Sequence, residues 1–415
     1  MKIAEGVYLH FIKSNKFKTN HIKVRFTGKR DKRTLARRAL VAQMLESVNS
    51  IYSTQQAFRQ ELARLYGASF STSISTRGLS HMVDINISFV KESFLMSGDS
   101  ILDSLLSFLE AALFHPLVSV AQYKPKQFDI EKQNLINSLV ADLEDPYYAS
   151  DLAVRELYFG DTVLKYSKYG NPELIKKEDS YTVFQEFQRM LQQDRIDIFV
   201  LGEVEDYRVI QKVNHFPLED RKSSPQFSVE HQFTNITREK IERRDTHQTI
   251  LNLAYHLPVT YGSDDYFALL LVNGLLGGYA HSKLFTNVRE KAGLAYTIAS
   301  QYDVSTQYLK IYAGIDRENR QRTLRLINQQ LSSIRLGKFS KREIEQTKKM
   351  LVNQARIAED YLDSLMELRY NKEIYGEQAL ELEEWLQKIN TVGKKDMMRV
   401  AQQLKLQALY ILEGQ

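Results

Sequence analysis

The 415-residue sequence contains no cysteine. That excludes disulfides, thiolate nucleophiles and cysteine-ligated zinc. No apolar run approaches the ~18 residues that span a bilayer. The first six residues, Met1 to Gly6, hold none of the apolar stretch of a secretory signal. With neither feature present, a cytoplasmic location is expected. Histidine is scarce and scattered: His10, His21, His81, His115, His215, His231, His247, His256 and His281. No two lie within eight residues of each other, so no pair at helical i,i+4 spacing is available to hold a metal. A metal site would have to be assembled from distant imidazoles.

What remains is ordinary for a globular chain, 43% hydrophobic and 26% charged. The length is too great for one core, so two to three domains are expected. The net charge of +5 conceals an asymmetry. Residues 1–40 carry twelve Lys and Arg against Glu5 and Asp31, and the remainder is slightly acidic. Nucleic-acid binding would need stacking aromatics or a recognition helix alongside that charge, and neither is evident. A solvated or partner-facing basic surface is the expectation.

Strand and helix patterns alternate along the chain. His21 to Phe26 alternates as a strand, followed by helices at Arg37 to Val48 and Thr54 to Tyr66, the second capped by Ser53 or Thr54. Ser69 to Thr76 and Met82 to Phe89 predict a hairpin about Arg77-Gly78. Ile101 to Phe114 predicts a helix closed by Pro116, and Phe128 to Tyr158 a long helical stretch broken near Pro146. Ile196 to Gly202 predicts a buried strand. Residues 216–228, polar and holding Pro217 and Pro225, are the best linker. Beyond them the order repeats. Thr249 to Tyr255 is a strand, and Tyr266 to Leu276 and Ser282 to Lys291 are helices. Tyr296 to Tyr302 and Tyr308 to Ile315 form a second hairpin. Helices follow at Asn319 to Ile334, Lys341 to Tyr375 and Lys394 to Leu404, and Ala408 to Leu412 is the last strand.

The repeat extends to residues. E-L-A-R-L-Y-G-A-S-F-S-T (61–72) aligns with N-V-R-E-K-A-G-L-A-Y-T-I (287–298), placing Gly67 on Gly293 and Phe70 on Tyr296. Y-F-G (158–160) aligns with I-Y-G (374–376). Two homologous α+β domains are therefore expected, 1–215 and 229–415, each an antiparallel-rich sheet covered by helices.

The string L-L-G-G-Y-A-H-S-K-L-F-T-N-V-R-E-K-A-G-L-A-Y (275–296) resembles the pitrilysin/insulinase (inverzincin) family of zinc metallopeptidases, in its short two-domain branch. The resemblance covers nearly the whole chain and implies a clamshell arrangement of the two domains. That family carries H-x-x-E-H on its first helix, two imidazole ligands flanking a catalytic glutamate. Here the register falls on Gln43-Met44-Leu45-Glu46-Ser47, so both ligand positions lack imidazole and only Glu46 remains. By itself Q-M-L-E-S is an ordinary amphipathic string. The family's third ligand is a glutamate on a later helix. Its pattern falls on Glu131 to Ser138, where Glu131 is kept and Ser138 stands at the ligand position. The resemblance thus implies a chain that holds no zinc and is inactive alone, nearest to a zinc-less, YfmF-like branch whose label links it to a lysine modification of elongation factor P.

The family's second-half contribution, an Arg/Tyr pair, matches Arg289 and Tyr296. A guanidinium and a phenol suit the charge that develops on a scissile carbonyl. Their repeat equivalents, Ala63 and Phe70, have no such donors. The competing view is an Arg in an ion pair and a Tyr at a strand edge. Gly277 and Gly278, with Gly274, form a turn that either lets a peptide approach closely or merely ends a helix. Three functions follow. One is the non-catalytic subunit of a heterodimeric peptidase: it lines the peptide chamber and acts in trans to a homologous zinc-bearing chain. A second is a zinc-less peptide-binding or scaffold protein, with the elongation factor P link as its setting. The third is a self-sufficient enzyme with an unusual metal site. The expected cofactor of this chain is none, the zinc lying on the partner. The expected partners are that homologous subunit and an extended peptide, with no membrane and no nucleic acid.

Overall fold

The computed structural model describes residues 1–95 and 100–414. The first half of the chain runs β1 (Lys2–Ala4), β2 (Val7–Ile12), β3 (Thr19–Lys29), α1 (Leu35–Ser47), α2 (Gln55–Arg64), β4 (Ser69–Arg77), β5 (Ser80–Val90) and α3 (Ile101–Phe114). A two-rung hairpin, β6 (Val118–Ser119) and β7 (Gln122–Tyr123), leads into α4 (Pro125–Asp142) and α5 (Pro146–Phe159). α6 (Pro172–Lys176), α7 (Ser180–Gln193), β8 (Arg195–Leu201) and α8 (Asp206–Asn214) complete it. The second half runs β9 (Arg238–Arg243), β10 (Thr249–His256), α9 (Tyr266–Asn273), β11 (Ala295–Asp303), β12 (Tyr308–Ile315) and α10 (Arg320–Arg335). It ends with α11 (Lys341–Ala358), α12 (Leu362–Tyr375), α13 (Leu382–Thr391), α14 (Lys394–Gln403) and β13 (Lys405–Glu413).

These elements form two compact units that trade segments of sequence. One comprises Met1–Ala141, Tyr166–Phe227 and Leu362–Arg369; the other comprises Asp142–Lys165, Ser228–Tyr361 and Tyr370–Gln415. The first unit's sheet has the order β1-β2-β8-β3-β5-β4, and the second unit's has β11-β12-β10-β13-β9. Read from β4 and from β11, the two orders coincide, β1 being extra. In both, one pair is parallel (β2 with β8, β9 with β13) and the other pairs are antiparallel. The repeat expected from residue alignment is thus a repeat of topology.

Period-two burial explains each layer. On β3, Ile22, Val24 and Phe26 enter the core shared with Leu40, Met44 and Leu45 of α1. Phe58 of α2, Phe70 of β4 and Phe108 of α3 meet edge to face, with centroids 4.8–5.6 Å apart. Each such ring buries a large apolar area. α2 begins where Thr54 accepts a hydrogen bond from Ala57 N–H. In the second unit, Leu251, Leu253 and Ile311 pack with Leu269, Leu276 and Val400.

Three expectations change. The predicted single helix Lys341 to Tyr375 breaks at residues 359–361, where N–H groups of Glu359, Asp360 and Tyr361 close tight turns. The break lets Leu362–Arg369 join the first unit, where Met366 is buried. The helices expected at Tyr266 to Leu276 and Ser282 to Lys291 widen into π-type turns at Gly274–Gly278 and Phe285–Lys291. The basic N-terminal forty residues are also not simply a solvated surface. Lys23, Arg25, Arg30 and Arg38 are buried, and each has a partner within the fold. Arg25 pairs with Asp84, Lys23 with Asp363 and Arg38 with Asp194, while Arg30 donates to the Tyr166 carbonyl. A buried cation needs such a partner.

Candidate functional site

The positions expected to match the family's zinc ligands lie on α1 and α4. Gln43 is half-buried, and Ser47 is buried with its hydroxyl donating to the Met44 carbonyl at 3.0 Å. Glu46 accepts from Thr72 of β4 twice, from the backbone N–H at 2.9 Å and from the hydroxyl at 3.0 Å. Arg59 of α2 stands 3.9 Å from its other oxygen. Glu131, buried on α4, accepts from side-chain amides of Gln127 (2.8 Å), Gln55 (3.1 Å) and Asn134 (3.4 Å). Ser138 lies two turns along α4 and is exposed. These residues do not fit a zinc ion. An amide and two hydroxyls replace imidazole and carboxylate donors. One hydroxyl is committed to its own helix, and both surviving carboxylates are spent on internal hydrogen bonds. Among the described residues no group of three or more His, Asp or Glu is placed to hold a metal.

The repeat carries the geometry of the other candidate pair. Gly67 and Gly293 both have positive φ, 73° and 62°. Gly67 N–H bonds the Ala63 carbonyl and Ala68 N–H the Leu62 carbonyl; Gly293 N–H bonds Arg289 and Leu294 N–H bonds Val288. The same αL helix stop therefore sets Ala63 against Arg289. Past this stop the units diverge. Phe70 pairs regularly with Ile87 and is buried. Tyr296 has no partner, because Ala295 pairs with Ile315 and Thr297 with Gly314. It is the extra residue of a β-bulge, a device that re-aims a side chain, and it is 54% exposed.

The Tyr296 hydroxyl donates to Asp316 at 2.9 Å, and this carboxylate holds the phenol above its ordinary range. Arg289 leaves its π-type turn half-exposed, its guanidinium 4.7 Å over the Phe285 ring and 3.6 Å from Glu290. Gly277 is buried, and a Cβ there would lie 2.6 Å from Ser300 N of β11; the close approach it permits is to that strand. Gly278 is exposed beside Asn273. Thr72 and Asp316 complete these contacts, yet no spacing or motif marks them in the sequence.

A two-unit α+β fold with a repeated sheet order and a repeated helix stop is the architecture expected of a peptidase-like protein of the pitrilysin type. The comparisons agree. The model of the peptidase M16 inactive domain matches residues 181–351. The probable inactive metalloprotease YmfF of Bacillus subtilis is 27% identical over 413 residues, covering 99% of this chain and 96% of that protein. A crystal structure of a conserved protein from Enterococcus faecalis V583 superposes with a TM-score of 0.95 at 35% identity, covering 100% of this chain and 98% of the other. The crystal structure of a protease from Helicobacter pylori gives a TM-score of 0.80 at 15% identity, covering 99% of this chain and 97% of that one. The chain is a pitrilysin-like protein, similar to M16 homologues that are themselves described as inactive. Among the described residues no helix is long and apolar enough to cross a membrane.

Proposed function

We propose that this chain is the non-catalytic subunit of a heterodimeric zinc metallopeptidase. A homologous sister chain with H-x-x-E-H supplies the metal and the general base. This chain supplies a wall of the peptide chamber, with Arg289 and Tyr296 acting in trans on the substrate backbone. The observation that carries the proposal is the divergence at one repeat position: buried, regularly paired Phe70 in one unit and bulged, exposed Tyr296 in the other. A bulge that turns an aromatic toward solvent costs packing, and function is the ordinary reason to retain it. Tyr296 also lies at the start of β11, an edge strand, and extended peptides bind by adding to such edges.

The test is co-expression with a zinc-bearing homologue. A stable complex whose peptide cleavage needs both chains supports the proposal; full activity of the sister chain alone rejects it. A second reading, a peptide holder without hydrolysis, is favoured by the Tyr296–Asp316 bond, which occupies the only phenolic proton. Peptide binding by the complex without cleavage would select it.

A further inference from the structure

Tyr296 has one proton to give, and it goes to Asp316. A phenol whose O–H is so engaged offers a visitor only its oxygen lone pairs. Arg289 is the reverse, a group with donors and no acceptor, and it is half-exposed. In an extended peptide, each residue turns its N–H and C=O to the same side. A donor and an acceptor presented from one unit therefore complement a peptide backbone better than two donors would.

We propose that Asp316 is a positioning residue that sets the polarity of this contact: it keeps the Tyr296 phenol as an acceptor for a peptide N–H, leaving the carbonyl to Arg289. The inference rests on the peptide-binding reading above. Its placement supports it. Asp316 directly follows β12, the partner strand of β11, so the hairpin that creates the bulge also delivers the carboxylate. Its side chain makes no capping bond to the helical turn that follows, although it opens that turn. Among the described residues its second oxygen has only a 3.5 Å contact with Asn319. The Tyr296 bond is thus its main engagement in the fold. The raised phenol range follows from the same bond, since the ionised phenol would face a carboxylate.

Two measurements on the full chain test the proposal. The first is ultraviolet titration of Tyr296, isolated by subtracting Tyr296→Phe, in wild type, Asp316→Ala and Asp316→Asn. The expected result is a phenol transition at lower pH in Asp316→Ala, with Asp316→Asn between it and wild type. An unchanged transition in both variants overturns the proposal. The second is fluorescence anisotropy with a fluorescein-labelled (Ala-Thr)6 peptide and its counterpart N-methylated at alternate residues. Wild type is expected to prefer the unmethylated peptide several-fold, and Asp316→Ala to lose most of that preference while binding both. Equal preference in wild type and Asp316→Ala overturns the assignment. Failure to bind either peptide counts against the peptide-binding reading and with it the N–H assignment, while the titration independently decides whether Asp316 holds the phenol.

Discussion

The carboxylate of Glu46 holds the edge strand β4 through Thr72, at 2.9 Å from its backbone N–H and 3.0 Å from its hydroxyl. A side-chain acceptor on an outward N–H also blunts an edge against stray pairing. In the register that the family resemblance implies, Glu46 falls at the general-base position, and here its carboxylate is a strap. Replacing it with Ala should cost about 1–2 kcal/mol, the usual loss when a hydrogen-bonded group is stranded. Urea unfolding should show that loss, and amide exchange should speed up selectively at Thr72. Unchanged exchange at Thr72 would contradict the assignment.

Arg25 is buried on β3, with a two-pronged pair to Asp84 and a further contact to Glu367 of α12. Asp84 is itself buried. Arg25→Ala should cost about 3–5 kcal/mol, because it leaves that carboxylate without its cation. The joint change Arg25→Met with Asp84→Leu should recover most of the loss. Chemical denaturation of both variants distinguishes an ion pair that stabilises outright from one that is only costly to break.

Gly277 and Gly278 should respond differently to alanine. At Gly277 the added Cβ meets Ser300 N at 2.6 Å, a backbone atom that cannot step aside. A cost of about 1–3 kcal/mol is expected from such overpacking. At Gly278 the nearest atoms are the Asn273 side-chain amide nitrogen at 3.0 Å and its backbone oxygen at 3.1 Å, both looser than the 2.6 Å approach at Gly277. Thermal unfolding should therefore show a clear loss for Gly277→Ala and a smaller one for Gly278→Ala.

His21 lies on β3 beside Lys23, and burial lowers its pKa from 6.5 to about 4 against the opposing pull of Asp363. Between those values the unfolded chain binds a proton that the folded chain refuses. Stability should fall as pH drops from about 6.5 toward 4, with no contribution from this group above that window. His21→Gln should flatten this limb of a stability–pH curve. An unaltered limb would place its origin elsewhere.

Much of the fold was legible because its signals are local. Period-two strings marked the β4–β5 and β11–β12 hairpins, Pro116 and Pro146 marked helix limits, and paired glycines marked the repeated helix stop. The strands β2 and β9 escaped. Arg238–Arg243 is almost wholly charged and exposed, and only its parallel pairing with β13 makes it a strand. The break between α11 and α12 was equally hidden, because no proline or glycine marks residues 359–361, where the chain turns before Leu362–Arg369 joins the first unit. The residue types at Gln43, Ser47 and Ser138, none of them a usual zinc ligand, were readable from the sequence. The uses found for Glu46 and Glu131 were not, since Thr72 and Gln55 are brought to them only by tertiary structure.

The most direct measurement is peptide cleavage by this chain in complex with a zinc-bearing homologue, comparing wild type with Arg289→Ala and Tyr296→Phe. If the chain contributes substrate contacts in trans, each variant should lower kcat/KM by about tenfold or more, the scale on which loss of a transition-state contact is felt, while complex formation is retained. Equal rates for all three would mean that neither residue takes part in the reaction.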